Sequence, residues 1–352
     1  MTAEALDGLL QEVKAMKLAY VSDKSPGYTR EKKGDGFVYF DKTGAKITDE
    51  EELKRIRSLV IPPAWTNVWI CSKANGHLQA TGVDVAGRKQ YKYHKQWSEA
   101  RNERKHNRMA EFAQALPAIR QQVEKDLQQT EFTKEKVLAI AVSVIDKTFI
   151  RVGNSEYAKL YGSFGLTSLR NRHLTISGNK LVVAFKGKKG VFQEIQLTHA
   201  KLSKLLKKLK DIPGQELFQY FDANGEKKSL ESGDVNEYLK NISGKDFTAK
   251  DFRTWWGTVT AAAKLAELLP YATETEAKRN IVETLDFVAK KLGNTRTVCK
   301  KYYVHPTLFN RYEEGKFEPY VQRLKRIRAA NGASLLLAEE KMIGEFIKAE
   351  CG

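Results

Sequence analysis

The sequence predicts an α+β protein: a small β-rich N-terminal domain, then a larger, mostly α-helical domain that carries a three-stranded antiparallel sheet. Three observations lead there. Up to about residue 85, short apolar runs such as 37–40 and 68–71 lie between Gly, Pro and Asp turns, as strands do. Beyond about residue 109, apolar residues recur mainly at helical spacing. Within that helical part, three strand-like runs (173–177, 180–186 and 191–197) are joined by Gly178-Asn179 and by Gly187-Lys188-Lys189-Gly190.

In chain order, residues 4–18 form an amphipathic helix with Leu9, Leu10, Val13 and Leu18 to one side. The turn Gly34-Asp35-Gly36 precedes the 37–40 strand, and a short helix over 49–58 leads to Ile61-Pro62-Pro63-Ala64-Trp65. Residues 87–108 change character: eight Lys/Arg face two Glu, net +6, with aromatics interleaved. That composition suits phosphates and sugars, although a solvated basic linker has it too. Thr133 is placed to cap a helix through Val137, Ile140, Val144 and Ile145. A lysine-rich helix over 199–210 and a short one over 234–241 follow. Thr248 and Asp251 form a capping box for a helix that Pro270 stops, and the next helix runs from about 274 to 292. Asn331-Gly332 breaks the chain before a last amphipathic helix that uses Leu336, Leu337, Met342, Ile343 and Phe346. The domains expected are therefore 1–95, 96–328 and a helical tail, 329–352.

Charge narrows the function. With 60 Lys+Arg against 43 Asp+Glu, net +17, the chain suits a polyanion, above all nucleic acid. No apolar run is long enough to span a membrane, and the first residues lack the basic and apolar regions of a signal peptide. Three distant cysteines argue against a disulfide framework or zinc site and fit a reducing interior. There is no P-loop motif, no carboxylate cluster of two-metal type and no metal-ligand spacing among the six histidines. Any phosphoryl chemistry here must run on arginine, lysine and tyrosine.

The stretch Leu292 to Pro306 holds two tyrosines, Tyr302 and Tyr303, among Arg296, Lys300 and Lys301, with no acidic residue. A tyrosine needs cationic neighbours before it attacks anything, because its free pKa is near ~10. The bland alternative is a surface helix with a tyrosine pair. Val137, Val144 and Arg151 are spaced by sevens, so Arg151 falls on the apolar stripe of its helix. An inward guanidinium needs an anion, either a structural partner such as Glu156 or a phosphate. Arg253 lies near the start of the helix opened by Thr248, where the helix dipole also favours a phosphate. Lys186, Lys188 and Lys189 cluster at a hairpin tip, from which an ammonium can reach a leaving oxygen as a general acid. Spacing does not choose among the three.

These motifs together resemble the type IB DNA topoisomerases, in particular the compact bacterial and poxvirus-like enzymes. The carriers are Ile150-Arg151-Val152-Gly153-Asn154 with Tyr161 to Arg170, then Phe185-Lys186-Gly187-Lys188, then Lys250-Asp251-Phe252-Arg253-Thr254-Trp255, and last Leu292 to Pro306. In the N-terminal part, Ile61 to Trp65 and Gly87 to His94 are similar as well. The resemblance implies two domains forming a clamp around duplex DNA, monomeric action, no cofactor or metal, and a cytoplasmic, nucleoid-associated protein. It implies that Tyr303, which directly precedes Val304-His305-Pro306, attacks a phosphodiester to form a 3′-phosphotyrosyl bond. Arg151 and Arg253 would hold the non-bridging oxygens, and Lys188 would protonate the leaving 5′-oxygen. Asn294 stands where viral and eukaryotic enzymes carry histidine, a departure that matches the bacterial branch; a plain helix cap is its other role. Gln90, Tyr91 and Tyr93, with Arg88 and Lys89, match DNA-touching positions.

Two other functions fit parts of the pattern. A tyrosine site-specific recombinase shares the strategy but usually carries H-x-x-R, where this chain reads Lys250-x-x-Arg253. A non-enzymatic basic DNA-binding protein explains the charge and leaves Arg151, Lys188 and Tyr303 incidental. Helical geometry adds one constraint. Asn294 and Tyr303 are nine residues apart, on opposite faces of a continuous helix, so a break at Asn294-Thr295 is required if both meet one phosphate. Tyr302 is then the packed neighbour of Tyr303.

Overall fold

The computed structural model describes residues 3–34, 36–85, 87–330 and 335–351, and the chain divides into two units, 1–105 and 106–352. The expected turn at Asp35 and break at Asn331-Gly332 lie outside the described residues.

The first unit holds α1 (Ala3–Ala15), β1 (Tyr28–Lys33), β2 (Gly36–Phe40), α2 (Glu50–Ser58), β3 (Thr66–Ile70), β4 (Leu78–Val83) and β5 (Lys89–Tyr93). The strands form one antiparallel sheet in the order β2-β1-β3-β4-β5. Ile56 of α2 packs on Val68, Ile70 and Ala80 to make its core. Arg30 explains the Ile61–Trp65 motif: its guanidinium donates to the carbonyls of Ile61, Pro62 and Trp65 at 3.2, 3.0 and 2.8 Å. A stretch with two prolines has few N–H groups of its own, so an arginine from the sheet satisfies its carbonyls. β5 removes the alternative of a basic linker for the first part of the 87–108 stretch. It is an edge strand with side chains alternating outward and partly inward, and lysines are the usual protection of such an edge. That composition hid the strand.

Helix α3 (Lys95–Asp126) begins well before residue 109, where helix was expected to take over. The second unit continues with α4 (Lys134–Thr148), α5 (Ser155–Tyr161), β6 (Leu174–Ser177), β7 (Lys180–Lys186), β8 (Phe192–Thr198), α6 (Ala200–Lys210), β9 (Gln219–Phe221), β10 (Lys227–Ser229) and α7 (Ser232–Ser243). It ends with α8 (Ala249–Glu267), α9 (Glu274–Leu292), α10 (Arg296–Tyr302), α11 (Pro306–Glu313), α12 (Glu318–Ala330) and α13 (Leu335–Cys351). The predicted three-stranded sheet is present as β6-β7-β8. α4 is buried on every side from Lys136 to Val142, so it is the central helix of this unit rather than a surface one. Thr133 caps it as expected, accepting from Lys136 N at 3.2 Å. α13 is tied in by Arg120 of α3, which donates to Asp146 of α4 and to Glu340 of α13; Glu340 also accepts from Trp255 Nε1 of α8 at 3.2 Å.

Arg151 is not on a helix. α4 ends at Thr148 because Phe149 turns into the left-handed region (φ 55), and Arg151 lies in the loop that follows. The heptad from Val137 therefore does not extend to it. What holds Arg151 is a backbone crossing. Leu166 N donates to the Arg151 carbonyl and Thr167 N to the Val152 carbonyl, both at 2.8 Å, with Gly153 and Gly165 face to face between them. A methyl on Gly165 would lie 2.5 Å from Gly153 Cα and 2.7 Å from the Arg151 carbonyl oxygen, against backbone that has no side chain to yield. Gly165→Ala is thus expected to lower unfolding stability by about 1–3 kcal/mol, read by urea or thermal denaturation. Unchanged stability would show that the crossing tolerates separation.

Candidate active site

Four of the predicted residues meet where α8, α9, α10 and the loop after α4 converge. The Thr248–Asp251 box opens α8, with Asp251 Oδ2 accepting from Thr248 N at 2.8 Å. One turn on, Arg253 is only 5% exposed. Its Nη1 donates to the Phe149 carbonyl and its Nη2 to the Leu292 carbonyl at 2.8 Å. The left-handed turn at Phe149 aims that first carbonyl, and its ring stacks on Trp256 at 4.2 Å. Arg253 therefore ties the end of α4 to the end of α9.

α9 closes at Gly293, left-handed at φ 58, with Asn294 N donating to the Ala289 carbonyl at 2.9 Å. Arg151 Nη2 donates to the Gly293 carbonyl at 3.0 Å and to Asn294 Oδ1 at 2.7 Å. Glu156 is not its partner in these bonds. Nor is Asn294 a helix cap: Thr295 takes that role, its Oγ1 accepting from Val298 N at 3.4 Å. The break required between Asn294 and Tyr303 is present.

α10 ends at Tyr302, and Tyr303 is its C-cap rather than a residue within the helix. The two tyrosines exchange the roles expected of them in packing. It is the Tyr303 ring that packs against the core, beneath the Arg253 guanidinium at 5.4 Å, while Tyr302 stands outside that cluster. The Tyr303 backbone is seated on α8, where a methyl on Gly257 would come within 2.5 Å of its carbonyl, and Thr258 Oγ1 accepts from His305 N at 3.0 Å.

The electrostatics favour an anion. Burial depresses Arg253 to about 10, with the charge of Arg151 adding to the effect. Burial lowers Arg151 as well, and the ionisable groups that oppose this are Tyr303 and Cys299, neither a carboxylate. Arg253 Nε and Asn294 Nδ2 are buried donors with no acceptor among the described residues. A buried cation beside a half-buried one, with orphaned donors, is costly unless an anion completes them. For Tyr303, burial alone would raise the phenol, but the charge and hydrogen bonding of Arg253, then Arg151 and Lys250, outweigh it and hold it below its ordinary value. Subtracting the tyrosine titration of Tyr303→Phe from that of the wild type is therefore expected to isolate a group ionising below pH ~10, because a lowered pKa means the phenolate appears earlier as pH rises. A difference midpoint at or above that value would remove Tyr303 from the cationic cradle.

Lys188 lies at the β7–β8 hairpin tip and is exposed. The hairpin neck, at Gly187, lines a cavity of about 20 Å³, room for about one water, together with Arg151 and Arg253. The N-terminal candidates are in the first unit. Tyr91 and Tyr93 stack at 6.1 Å and remain 49% and 46% exposed. Arg88 and Gln90 both hydrogen-bond Asp84 Oδ2, at 2.8 and 2.9 Å, and Lys89 pairs with Asp23. The tyrosines are open to a ligand, and the three polar residues have acidic partners within their own fold.

Sequence reasoning missed Gly257, Thr258 and Cys299, and used Lys250 only to tell this chain from a recombinase. Lys250 and Gly257 lie three residues before and four after Arg253 along one face of α8, a signal available once Arg253 is chosen. Cys299 is buried, its thiol pushed up to about 11 by burial against the charge of Arg253 and Arg151.

A family model described as "Eukaryotic DNA topoisomerase I, catalytic core" matches residues 93–330, and one described as "Bacterial DNA topoisomerase IB, N-terminal domain" matches residues 36–84. The DNA topoisomerase 1B of Acanthamoeba polyphaga mimivirus is 32% identical over 285 residues, covering 79% of this chain and 85% of the relative. The chain belongs to the type IB DNA topoisomerases. The DNA topoisomerase 1B of Vaccinia virus (strain Copenhagen) is 26% identical over 281 residues, covering 78% of this chain and 86% of the viral protein. The DNA topoisomerase 1 of Schizosaccharomyces pombe is 25% identical over 253 residues, but only 30% of that protein is covered. All five candidates from Arg151 to Tyr303 fall inside the catalytic-core match, whereas Arg88 to Gln90 fall between the two matches. Among the described residues no helix is long and apolar enough to cross a membrane.

Proposed function

We propose that this type IB topoisomerase relaxes supercoiled DNA, without ATP or metal, by cutting one strand and resealing it through a 3′-phosphotyrosyl intermediate. The observation that carries the residue assignments is a buried Arg253 and a half-buried Arg151, with no carboxylate partner among the described residues, beside a tyrosine whose phenol they acidify. The Tyr303 phenolate forms a bond to phosphorus while the P–O5′ bond breaks, and the departing oxygen takes a proton from the Lys188 ammonium. Arg151, Arg253 and Asn294 Nδ2 hold the non-bridging oxygens as charge gathers on them. Asparagine donates there without adding a charge, and religation is the same step reversed.

The molecule would act as a monomeric clamp on duplex DNA, with residues 1–95 on one side, 96–328 as the catalytic domain and 329–352 as a helical tail. Tyr91 and Tyr93 would meet the sugar-phosphate backbone first; Arg88, Lys89 and Gln90 would join by exchanging Asp84 and Asp23 for phosphates. Asn294 and the match to the bacterial N-terminal domain support an enzyme of bacterial type, working at the nucleoid.

The deciding experiment is relaxation of plasmid with chelator present and ATP absent. Both positive and negative supercoils are expected to relax. Activity confined to exchange between two defined sites would instead make it a recombinase, and failure to trap a covalent protein–DNA adduct with denaturant would leave only a DNA-binding protein.

A further inference from the structure

Gln193 of β8 touches both halves of the candidate machinery. Its Cγ lies 3.1 Å from the position a methyl on Gly187 would occupy, at the neck of the Lys188 hairpin. Its amide nitrogen and oxygen each lie 2.7 Å from the position a methyl on Gly293 would occupy, so the carboxamide rests directly on the residue that Arg151 grips. Gly293 is left-handed as well as crowded, so this contact is available only to a glycine with that amide above it. Gln193 Nε2 also donates to the Phe192 carbonyl at 3.2 Å, which orients the amide. The residue lines the same small cavity as Arg151 and Arg253.

The need for such a tie follows from the hairpin itself. Lys186 and residues 188–192 are exposed, and the inner part of the ribbon is held by Phe164 N donating to the Lys186 carbonyl at 2.7 Å and by the ladder to β8. A two-stranded tip that carries a proton donor must be set against the phosphate-holding groups to within a fraction of an ångström, since a misplacement of ~1 Å can cost about 10²-fold in rate. We propose that Gln193 is a positioning residue: wedged between Gly187 and Gly293, it holds the Lys188 hairpin in register with Arg151 and Asn294. This rests on the general-acid role proposed for Lys188.

The test is single-turnover cleavage by Gln193→Ala on two duplexes, one ordinary and one with a 5′-bridging phosphorothiolate at the cut, whose thiolate departs without a proton. Slowing of about 10- to 100-fold on the ordinary duplex is expected, with near wild-type speed on the phosphorothiolate. Gln193→Met keeps the Cγ contact and the length but takes the amide off Gly293, and is expected to show the same substrate-selective defect with a native melting temperature. Equal slowing on both duplexes, or none, overturns the inference. Lys188→Ala run alongside separates the failures. If Lys188→Ala is rescued by the phosphorothiolate and Gln193→Ala is not, only the role of Gln193 falls; if neither is rescued, the general-acid role falls and this inference with it.

Discussion

Tyr303→Phe is expected to abolish the covalent adduct and reduce relaxation by at least about 10⁴-fold, because a phenyl ring has no oxygen to attack phosphorus. The fold should survive. The ring packs against the core and lies under Arg253, contacts that phenylalanine keeps. DNA affinity should be little changed, so the variant separates chemistry from binding in a filter or gel-shift assay. Tyr302→Phe is the matched control, since Tyr302 stands outside the core cluster and its ring faces Lys301 at 5.3 Å. Retained relaxation in Tyr303→Phe with loss in Tyr302→Phe would reverse the assignment.

Arg253→Ala should damage two things at once. Loss of a preformed donor to developing negative charge is worth about 10²–10³-fold in the cleavage rate. In addition, the carbonyls of Phe149 and Leu292 lose their donor in a buried place, each at a cost of about 1–3 kcal/mol of stability. Arg253→Lys restores a charge but not a planar fork that spans two carbonyls, so its rate should fall between alanine and wild type. Single-turnover cleavage and urea denaturation of both variants check this. A lysine variant at wild-type rate and stability would mean that charge alone matters and that the bridge between α4 and α9 does not.

Much of the site was legible because its residues carry rare combinations of chemistry and local signal. Thr133 and Thr248 mark helix starts whatever the tertiary context, as capping is a local bond. The stop of α9 at Leu292 was readable from Gly293, since glycine tolerates the left-handed turn. The stop of α4 was not, because a phenylalanine in that conformation has no local signature and is held there by Trp256 and Arg253, which lie about a hundred residues on. Arg151 was accordingly placed on a helix it does not join. β5 was missed for a related reason: its alternating Tyr91 and Tyr93 stay half exposed among Lys and Gln, and its pairing with β4 exists only once the sheet forms.

By itself, then, the sequence determined the α+β class, the three-stranded sheet, the polyanionic partner and the break that separates Asn294 from Tyr303. These follow from composition, periodicity and capping, which act over a few residues. Only the tertiary structure decided which cations surround which tyrosine. The acidified phenol of Tyr303, the orphaned donors on Arg253 and Asn294, and the wedge of Gln193 between two glycines all arise between segments distant in the chain. Burial there is a collective property, and it is burial that makes each of those charges matter.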